Sequence, residues 1–596
     1  MPALLFNLLA QHHPGNPALL SPSKKSISYE QLAEQLRAAA LRLNQFGLRR
    51  NDRVAVVLPN GPEMAVAYLA VSAVCTCAPL NPAYSADEME FYLTDLSARA
   101  LVLPAGQASP ARIVATRLGI PLIELDADPQ RSGLFALASS LPLDETIPEP
   151  VLAELDDVAL VLHTSGTTSR PKIVPLTHRN LYYSIHNIAQ TYNLAESDRC
   201  LSMMPLFHIH GLMGALSATL LSGGSIICAP GLKPDQVLGW LSELAPTWYT
   251  AVPTMHQAIL EQTRSQPALA SKAKLRFIRS SSSALPSAVA EGLEKAFHAP
   301  VLEAYGMTEA THQMASNPLP PRVRKFGSVG LPTGTTKIVI LDDNGTIQPA
   351  NTLGEISICG ENVMVGYEKN PQANASAFTN DWLRTGDRGY LDADGYLFIQ
   401  GRLKEIINRG GEKISPREID DALLQHPAVA QAVVFATPHP TLGEDVAAAV
   451  VLRKGQALTA RELRQFAGLK LAEFKIPRQV VFLDEIPKGS TGKIQRIGLA
   501  EKLAAQLEAA RTEGSGGAGI AGAGLTALEQ ELLEMWKTSL GQDSITADDD
   551  FLALGGDSLR AVQLISKINE HFGSSLTMRD IFDTPTVRDV AALIKT

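Results

Sequence analysis

The chain has 596 residues, of which 45% are apolar and 19% are charged, and its net charge is −9. This length is too great for one hydrophobic core, so several domains are expected. The acidic balance and the scattered Lys and Arg residues exclude a basic nucleic-acid-binding surface. The N-terminus does not read as a signal peptide, and no apolar run reaches the roughly 20 residues that span a membrane. Five cysteines without C-x-x-C spacing predict neither a zinc site nor a disulfide framework, so a cytoplasmic protein is expected.

The first part of the chain carries the pattern of an α/β domain. Between residues 27 and 401, short β-branched runs alternate with longer helical patterns, as in 53–57 before 64–74 and 159–163 before 178–192. We predict a large α/β domain over residues 1–403. A smaller α+β domain is predicted over 404–510, from strand-like runs at 432–436 and 446–452 and a helical pattern at 460–471.

Residues 511–524 have the composition of a flexible linker, because glycine and alanine in this proportion cannot bury a core. The stretch is typical of an engineered joint between two natural proteins. Gly517, Gly519 and Gly522 match the dinucleotide fingerprint G-x-G-x-x-G. That fingerprint needs a preceding strand and a helix opening at its end, and neither is predicted here, so the match is a coincidence of composition.

Residues 525–596 form the pattern of a small four-helix bundle. Leucines and Trp536 recur at spacings of three and four from 525 to 540, and apolar residues mark further helices at 559–572 and 587–593. Twelve acidic residues stand against six basic ones in this segment, a net charge of −6. Such a surface suits docking onto basic partners, and solubility is the simpler interpretation.

A loop rich in hydroxyl groups follows the apolar run at 158–162. It reads Thr164-Ser165-Gly166-Thr167-Thr168-Ser169-Arg170-Pro171-Lys172. Hydroxyls and glycine amides after a strand make a nest for phosphate oxygens, and the lysine adds positive charge. The loop lacks the Walker A spacing, and a Ser/Thr-rich surface loop is the alternative interpretation.

Four more motifs follow in order, and together they resemble the adenylate-forming superfamily of acyl-CoA synthetases, nonribosomal adenylation domains and luciferases. They are Tyr305-Gly306-Met307-Thr308-Glu309, Thr385-Gly386-Asp387, Gly401-Arg402-Leu403-Lys404-Glu405 and Pro487-Lys488-Gly489-Ser490-Thr491-Gly492-Lys493. The resemblance covers roughly residues 1–508. Ser169 and Arg170 depart from it, because many members have glycine first.

The resemblance implies ATP and Mg²⁺ as cofactors and an acyl-adenylate as product. Glu309 would bind Mg²⁺, Thr308 would contact phosphate, and Lys493 would reach the carboxylate and the α-phosphate. The residues implied for ATP binding are Thr164, Ser165, Gly166, Thr167, Thr168, Lys172, Tyr305 (on adenine), Asp387 (on the ribose) and Arg402.

The resemblance also implies a mobile small domain. Lys404 matches the hinge about which the small domain rotates after adenylation. Rotation would replace Lys493 with the loop that contains Gly410 and Gly411, which would then help form the thiol channel. An ordinary exposed lysine is the alternative interpretation of Lys404.

The run Leu554-Gly555-Gly556-Asp557-Ser558-Leu559 resembles the attachment site of acyl and peptidyl carrier proteins. This implies 4′-phosphopantetheine on Ser558, placed by a phosphopantetheinyl transferase at the start of a helix. An unmodified glycine-rich helix cap is the alternative interpretation.

The pocket for the acid is predicted from residues 204–211, residues 280–283 and the run that begins at Tyr305. In amino-acid-selecting relatives an aspartate follows an aromatic residue in the stretch equivalent to 204–211, and here this stretch contains no carboxylate. An α-amino acid is therefore disfavoured, since its ammonium would be buried unpaired. We expect a polar, compact pocket without a metal at His208-x-His210. The residues predicted to contact the acid are His208, His210, Ser281, Ser282, Ser283, Gly306, Met307 and His312.

Two substrate classes compete. Segments 163–180, 207–211 and 402–416 resemble oxalate–CoA ligases, in which His210, a serine of 280–283 and His312 would hold a small diacid. The carrier domain points instead to a thiotemplate pathway, and the combination resembles the adenylation and carrier pair of tilimycin/tilivalline-type pyrrolobenzodiazepine assembly. We predict an aryl acid of the anthranilate or 3-hydroxyanthranilate type, and a downstream condensation domain as partner in nonribosomal antibiotic biosynthesis. A docking module with a silent adenylation domain is the third reading.

Overall fold

The computed structural model describes residues 5–9, 11–164, 171–439, 442–487, 496–514, 525–542, 545–549, 551, 554, 558–577, 580–581, 584 and 586–594, without the side chains of 5–6, 511–514 and 558–559. The chain divides into two compact units, Met1–Ile399 and Gln400–Thr596. In the described part, no helix is both long enough and apolar enough to cross a membrane.

Two large sheets organise the first unit. One has seven strands, in the order β7 (Phe135–Ser139), β6 (Leu122–Ala127), β5 (Ala100–Pro104), β3 (Arg53–Val56), β4 (Thr76–Pro79), β8 (Val158–Thr164) and β9 (Lys172–Thr177). The other has nine, in the order β16 (Leu331–Pro332), β15 (His312–Ser316), β14 (Val301–Met307), β13 (Phe277–Ser281), β12 (Trp248–Ala251), β10 (Arg199–Ser202), β11 (Ser225–Cys228), β1 (Pro17–Leu20) and β2 (Ile27–Ser28). Strands β10 to β14 run parallel, so their carboxyl ends share one edge of the sheet.

Helices cover these sheets, as the alternating pattern predicts. They are α1 (Leu5–Leu9), α2 (Tyr29–Gln45), α3 (Pro62–Val74), α4 (Ala86–Leu96), α5 (Pro110–Arg117), α6 (His178–Thr191), α7 (Ala218–Leu221), α8 (Val237–Glu243), α9 (Pro253–Ser265), α10 (Pro267–Ala270), α11 (Ser287–Phe297) and α12 (Pro371–Ala377). Helix α3 is apolar on all sides and buried from Met64 to Val74, the pattern of a helix enclosed in a core. Helix α6 begins with a capping box in which Thr177 and Asn180 bond each other's backbone amides.

A third, smaller sheet follows the nine-stranded one along the chain. Its strands lie in the order β17 (Lys337–Leu341), β18 (Gly354–Cys359), β20 (Trp382–Leu391) and β19 (Phe378–Thr379), with β21 (Leu397–Arg402) paired to β20. Strand β20 is antiparallel to β18 and carries the predicted ribose ligand Asp387.

The second unit begins with the small α+β domain. Its sheet has the order β23 (Glu412–Ile414), β22 (Ile407–Arg409), β25 (Gly443–Leu452) and β24 (Val429–His439), with β26 (Gln479–Phe482) beside β25. The hairpin of β24 and β25 is longer than the predicted 432–436 and 446–452, because the cross-strand pairing extends from Val429↔Leu452 to His439↔Gly443. The helices are α13 (Pro416–Leu423), α14 (Ala460–Gly468), α15 (Leu499–Lys502) and α16 (Ala504–Gly514).

The end of the chain is helical, as predicted. The described helices are α17 (Ala527–Leu540), α18 (Ser558–Phe572) and α19 (Val587–Ile594). Trp536 is fully buried and packs edge-on against Phe551, with the ring centroids 5.8 Å apart. Ile568 and Val590 complete this small apolar core. The predicted linker at 511–524 lies mostly outside the described residues, and its residues 511–514 end α16.

Candidate active site

The two ends of the predicted phosphate loop are joined by sheet pairing. Thr164, the last residue of β8, lies opposite Lys172, the first residue of β9, in the antiparallel ladder. The loop residues Ser165, Gly166, Thr167 and Thr168 lie outside the described residues. Lys172 extends over the ring of Tyr367, with Nζ 4.1 Å from the ring centroid. This contact holds the predicted phosphate-binding ammonium beside a tyrosine that the sequence analysis did not single out.

Tyr367 also contacts the predicted magnesium ligand. Glu309 lies in the 3₁₀ turn Thr308–Ala310 directly after β14 and is 7% exposed. The Tyr367 hydroxyl donates to Glu309 Oε1 over 2.8 Å, and the Met364 amide donates to the Glu309 carbonyl over 2.8 Å. Lys172, Tyr367 and Glu309 thus form one cluster of predicted phosphate- and metal-facing groups.

The cluster fits Mg²⁺ bound together with phosphate. Mg²⁺ in nucleotide sites takes one or two carboxylates and fills its remaining positions with phosphate oxygens and water. Tyr367 fixes one oxygen of the Glu309 carboxylate. No group of three or more His, Cys, Asp or Glu side chains arranged to hold a metal occurs among the described residues.

The two residues predicted to hold adenosine lie side by side. Tyr305, on β14, donates a hydrogen bond from its hydroxyl to Oδ2 of Asp387, on β20. Asp387 is 7% exposed. Its backbone amide donates to the Thr385 hydroxyl over 3.1 Å. Tyr305 therefore orients the carboxylate that is expected to accept both ribose hydroxyls. Arg402 is the exposed last residue of β21.

The predicted acid pocket contains a buried cluster at the carboxyl edge of β12 and β13. His210 begins a π-helical segment, His210–Ser217, and is 2% exposed. Its Nδ1 lies 3.0 Å from Ser282 Oγ, and its Nε2 lies 2.6 Å from Thr250 Oγ1. The ring of His312 stacks on that of His210, with the centroids 5.0 Å apart. His210, Ser282 and His312 are thus brought together, as predicted.

The other predicted pocket residues have different surroundings. Ser281 is buried and donates its hydroxyl to the Ala304 carbonyl over 3.0 Å, so it supports β14. Ser283 is exposed, whereas His208 and Met307 are half-buried. Of the three predicted serines, Ser282 is the one that bonds a pocket histidine. The sequence could not separate them, because the φ of +75° at Ser282 turns its side chain away from the strand alternation.

Arg279 was missed by the sequence analysis. It lies on β13, is 0% exposed, and contacts both pocket histidines: Nη1 lies 3.1 Å from His210 Nε2, and Nη2 lies 2.8 Å from His312 Nε2. Its remaining bonds go to Tyr192, Thr250 and Gln313. The signal that could have found it is weak, an arginine directly after the apolar pair Phe277-Ile278.

The backbone around the cluster is strained and tightly packed. Thr311 and His312 both have positive φ, at 50° and 97°, and such strain in residues other than glycine concentrates at functional sites. A Cβ on Gly306 would lie 1.9 Å from the His312 carbonyl oxygen. A Cβ on Gly214 would lie 2.4 Å from His312 Nε2 and 3.0 Å from Arg279 Nη1. Only glycine at these two positions leaves room for the cluster.

The predicted hinge and thiol-channel residues lie in the second unit. Lys404 is exposed within the 3₁₀ turn Leu403–Glu405, and Gly410 and Gly411 form the positive-φ turn between β22 and β23. The predicted catalytic Lys493 lies outside the described residues.

Arg496, three residues after Lys493, is fixed. Its Nε lies 3.3 Å from Glu405 Oε2, Nη1 donates to the Val434 carbonyl over 2.8 Å, and Nη2 bonds Asp420. Arg496 therefore bonds the segment that follows Lys493 to the turn Leu403–Glu405, which contains the predicted hinge.

Ser558 is the first residue of α18, as the attachment-site motif predicts, although its side chain lies outside the described residues. Residues further along α18, among them Leu564 and Ile568, belong to the same apolar core as Trp536. A helix start is the position at which backbone amides favour a phosphate.

Three family models match the chain. An AMP-binding enzyme model matches residues 6–368, an AMP-binding enzyme C-terminal domain matches 418–493, and a phosphopantetheine attachment site matches 530–594. An oxalate–CoA ligase from Arabidopsis thaliana is 44% identical over 83% of this chain and 96% of its own length.

Solved structures show the same fold. ATP-bound MatB from Rhodopseudomonas palustris is 30% identical and superposes with a TM-score of 0.76 over 84% of this chain and 99% of its own. The anthranilate–CoA ligase AuaEII with anthranoyl-AMP is 26% identical, with a TM-score of 0.74 over 86% of this chain and 98% of its own. The predicted architecture of large α/β domain, small C-terminal domain and helical carrier is confirmed.

The matched models and relatives identify the reaction type and its cofactors. The enzyme is an acid–thiol ligase that forms an acyl-adenylate, with ATP and Mg²⁺ at the adenylation domain and phosphopantetheine on the carrier. The chain therefore belongs to the AMP-binding, adenylate-forming enzymes, close to oxalate–CoA ligases, and carries a C-terminal phosphopantetheine attachment domain.

Proposed function

We propose that the chain activates an aryl carboxylic acid of the anthranilate or 3-hydroxyanthranilate type and loads it onto phosphopantetheine at Ser558. The observation that carries this proposal is the carrier domain at 530–594, joined to an adenylation domain in one chain. A ligase that releases its product as a CoA thioester does not require a tethered thiol. The acyl-carrier product would pass to a downstream condensation domain in nonribosomal antibiotic biosynthesis in the cytoplasm, as in tilimycin/tilivalline-type assembly.

The pocket supports an acid with a second polar substituent. Ser282 and His210 form a hydrogen-bonded pair, which suits a ring hydroxyl or amine. The buried guanidinium of Arg279 disfavours an α-ammonium group in the same cavity, since two like charges would share a low-dielectric site. AuaEII, crystallised with anthranoyl-AMP, has the same fold at 26% identity, so the fold accommodates an anthranilate-type adenylate.

A small dicarboxylic acid of the oxalate type is the second candidate. The permanent positive charge of Arg279 behind His210 and His312 would favour a second carboxylate. The 44% identity to an oxalate–CoA ligase supports the same candidate. Under this alternative the enzyme would activate the same acid as its ligase relatives. The carrier thiol would then accept an acyl group other than an aryl one.

The chain's own residues would perform the adenylation as follows. Glu309 would hold Mg²⁺, which offsets the repulsion between the carboxylate and ATP. Lys172 would face the phosphates, Asp387 would accept the ribose hydroxyls, and Lys493 would orient the attacking carboxylate. Pre-positioned charges of this kind typically contribute about 10²- to 10³-fold in rate.

Pyrophosphate exchange across a panel of acids tests the proposal. Anthranilate and 3-hydroxyanthranilate should give a higher kcat/KM than oxalate, malonate or any α-amino acid. The Glu309→Gln variant controls for contaminating exchange, because it keeps the side-chain volume and removes the carboxylate. If oxalate exceeds every aryl acid, the second candidate is correct. If no acid supports exchange, the adenylation domain is silent and the chain is a docking module.

The carrier half of the proposal is tested by mass. Coexpression with a phosphopantetheinyl transferase should add one phosphopantetheine to the wild-type chain and none to Ser558→Ala. Incubation of the modified chain with ATP and anthranilate should then add one anthraniloyl group. A modified Ser558→Ala chain would place the attachment site elsewhere.

A further inference from the structure

Arg279 is a fully buried cation held by neutral groups. Its three nitrogens together bond the Tyr192 hydroxyl, Thr250, Gln313 and the Nε2 atoms of both pocket histidines. None of the ion pairs found among the described residues involves Arg279. By contrast, Arg276, which directly precedes β13, pairs with Asp198 over 2.9 Å. A buried charge kept without a carboxylate is costly, so this arrangement points to a role in the pocket.

The guanidinium determines which nitrogen of each histidine carries the proton. Arginine has only N–H donors and no acceptor, so the His312 Nε2 atom that it contacts must accept. At His210, Arg279 Nη1 donates to the Thr250 oxygen, which leaves the Thr250 hydroxyl to donate to Nε2 over 2.6 Å. Each ring is then neutral, with its proton on Nδ1. With this tautomer, His210 Nδ1, which lies 3.0 Å from Ser282 Oγ, is the donor in that contact.

Both Nδ1 atoms lie beside residues predicted to contact the acid. His210 Nδ1 faces Ser282. His312 Nδ1 would be 3.1 Å from a Cβ on Gly306, although that Cβ position is itself filled by the His312 carbonyl oxygen. Ser282, which accepts from His210, retains a hydroxyl proton and a lone pair for a substituent on the acid.

We propose that Arg279 is a positioning residue that fixes both histidines as neutral Nδ1–H tautomers and thereby orients a donor set for the second polar substituent of the acid. The inference rests on the proposed function, in that it places the acid beside Gly306 and Ser282. Arg279 does not itself contact the acid, because all three of its nitrogens already bond protein groups. It acts through His210, His312 and Ser282.

Imidazole nitrogen NMR tests the tautomers without any substrate. In protein labelled with ¹⁵N-histidine, the resonances that disappear in His210→Asn and His312→Asn identify the two rings among the 13 histidines. Both should show a protonated Nδ1 and an unprotonated Nε2 in the wild type. A protonated Nε2 on either ring would overturn the proposal, whatever acid the enzyme uses.

Substrate discrimination tests the consequence. Arg279→Met and Arg279→Lys should lower kcat/KM in pyrophosphate exchange for anthranilate about tenfold more than for benzoate, chiefly through KM, the effect of one misplaced hydrogen bond. Lysine keeps the charge but cannot bond two histidines at once, so it remains informative if the methionine variant does not fold. An equal loss for both acids in a folded variant would overturn the positioning role.

Two further measurements separate the possible failures. Tyr192→Phe removes one bond of Arg279 without contacting either histidine, and it should leave the anthranilate-to-benzoate ratio as in the wild type. A ratio that falls as far as in Arg279→Lys would indicate general packing and overturn the proposal. If the wild type uses oxalate rather than aryl acids, the proposed function fails, and the oxalate-to-acetate ratio then tests Arg279 in the same way.

Discussion

Tyr367 contacts both charged side chains that are predicted to face the phosphates, and its two contacts can be separated. Tyr367→Phe keeps the ring beneath Lys172 and removes the hydroxyl that donates to Glu309. A hydrogen bond to a charged group contributes about 1.5–3 kcal/mol. We expect the Mg²⁺ concentration at half-maximal exchange to rise about tenfold or more. Titration of Mg²⁺ at saturating ATP measures it, and an unchanged midpoint would show that Tyr367 does not orient the carboxylate.

A substitution at Gly214 tests how tightly the acid pocket is packed without changing either pocket histidine. In Gly214→Ala the new Cβ would lie 2.4 Å from His312 Nε2 and 3.0 Å from Arg279 Nη1, so one of them must move. Overpacking of this kind typically costs about 1–3 kcal/mol. The expected result is a lower midpoint of thermal unfolding and a raised KM for the acid, with the KM for ATP near the wild-type value.

Gly239 offers the matched control. It lies in α8, and nothing is within 4 Å of a Cβ built on it. Gly239→Ala should leave both KM values unchanged and raise helix stability slightly. If Gly214→Ala behaves like Gly239→Ala, the pocket is looser than these distances indicate.

The motif residues were predictable from the sequence, but Arg279 and Tyr367 were not. Tyr305, Glu309 and Asp387 lie in short sequence motifs that occur in a fixed order, and these motifs are what singled them out. The partners of Arg279 come from the residue that follows α6, from β12 and β15, and from the π-helical segment, and no local pattern predicts that these elements meet. The environment of a lone arginine in a buried strand depends on tertiary packing.

At the scale of elements, the turn Leu403–Glu405 and the segment that contains Lys493 are predicted to act in different half-reactions, and a variant in each can test this. Lys493→Ala should abolish adenylate formation, because the lysine is expected to hold the carboxylate and the α-phosphate. Transfer from supplied acyl-adenylate to the carrier thiol should survive better, since Lys493 is predicted to leave the site before that step. Pyrophosphate exchange and single-turnover thiolation measure the two half-reactions, and equal loss in both would refute the two-state assignment.

Lys404→Pro is the complementary variant. Proline restricts φ at a residue that is expected to swing, so exchange should persist while thiolation falls. Normal rates in both steps would show that the hinge is not at Lys404.

The alternation of strand-like and helical runs predicted the α/β unit and most of its element types. It placed α6 at 178–192, and the helix is His178–Thr191. The hairpin Val429–His439 with Gly443–Leu452 exceeds its predicted length. Strand length depends on the partner strand, which a local pattern cannot show.

For the whole molecule, buried histidines predict an acid-labile first unit. Burial lowers the pKa of His178 and of His256 to about 4, from an ordinary value near 6.5. Below pH 6.5 the unfolded chain binds protons that the folded chain does not, so the stability present above pH 6.5 is lost as the pH falls toward 4. Each group accounts for about 2 kcal/mol by pH 5.

Urea unfolding followed by tryptophan fluorescence at pH 7 and pH 5 measures this loss. His256→Gln should show a smaller decrease between the two pH values than the wild type. His298→Asn, at an exposed position, is the matched control and should follow the wild type. A wild-type midpoint that does not change with pH would contradict the assignment.

The linker composition permits loading of the carrier within one chain, and the concentration dependence of loading distinguishes this from exchange between chains. Because α16 extends to Gly514, about 10 residues of the linker predicted from composition remain, and a flexible chain of that length has a root-mean-square span of roughly 17 Å. If loading occurs within one chain, the rate at which the carrier thiol receives the acyl group should be independent of protein concentration. A rate that rises linearly with concentration would show exchange between chains, and mixing Ser558→Ala with Lys493→Ala chains would confirm it.

The bonds of Arg496 limit the reach of Lys493. Lys493 lies three residue steps before Arg496, a backbone distance of at most about 11 Å when extended, while Arg496 itself is bonded to Glu405 and Asp420. If the small domain rotates as predicted, we therefore expect Lys493 to move with it rather than independently of it. A compound that held the small domain in one orientation would stop one half-reaction completely and spare the other. Such a compound would act as an inhibitor without competing for ATP, acid or thiol.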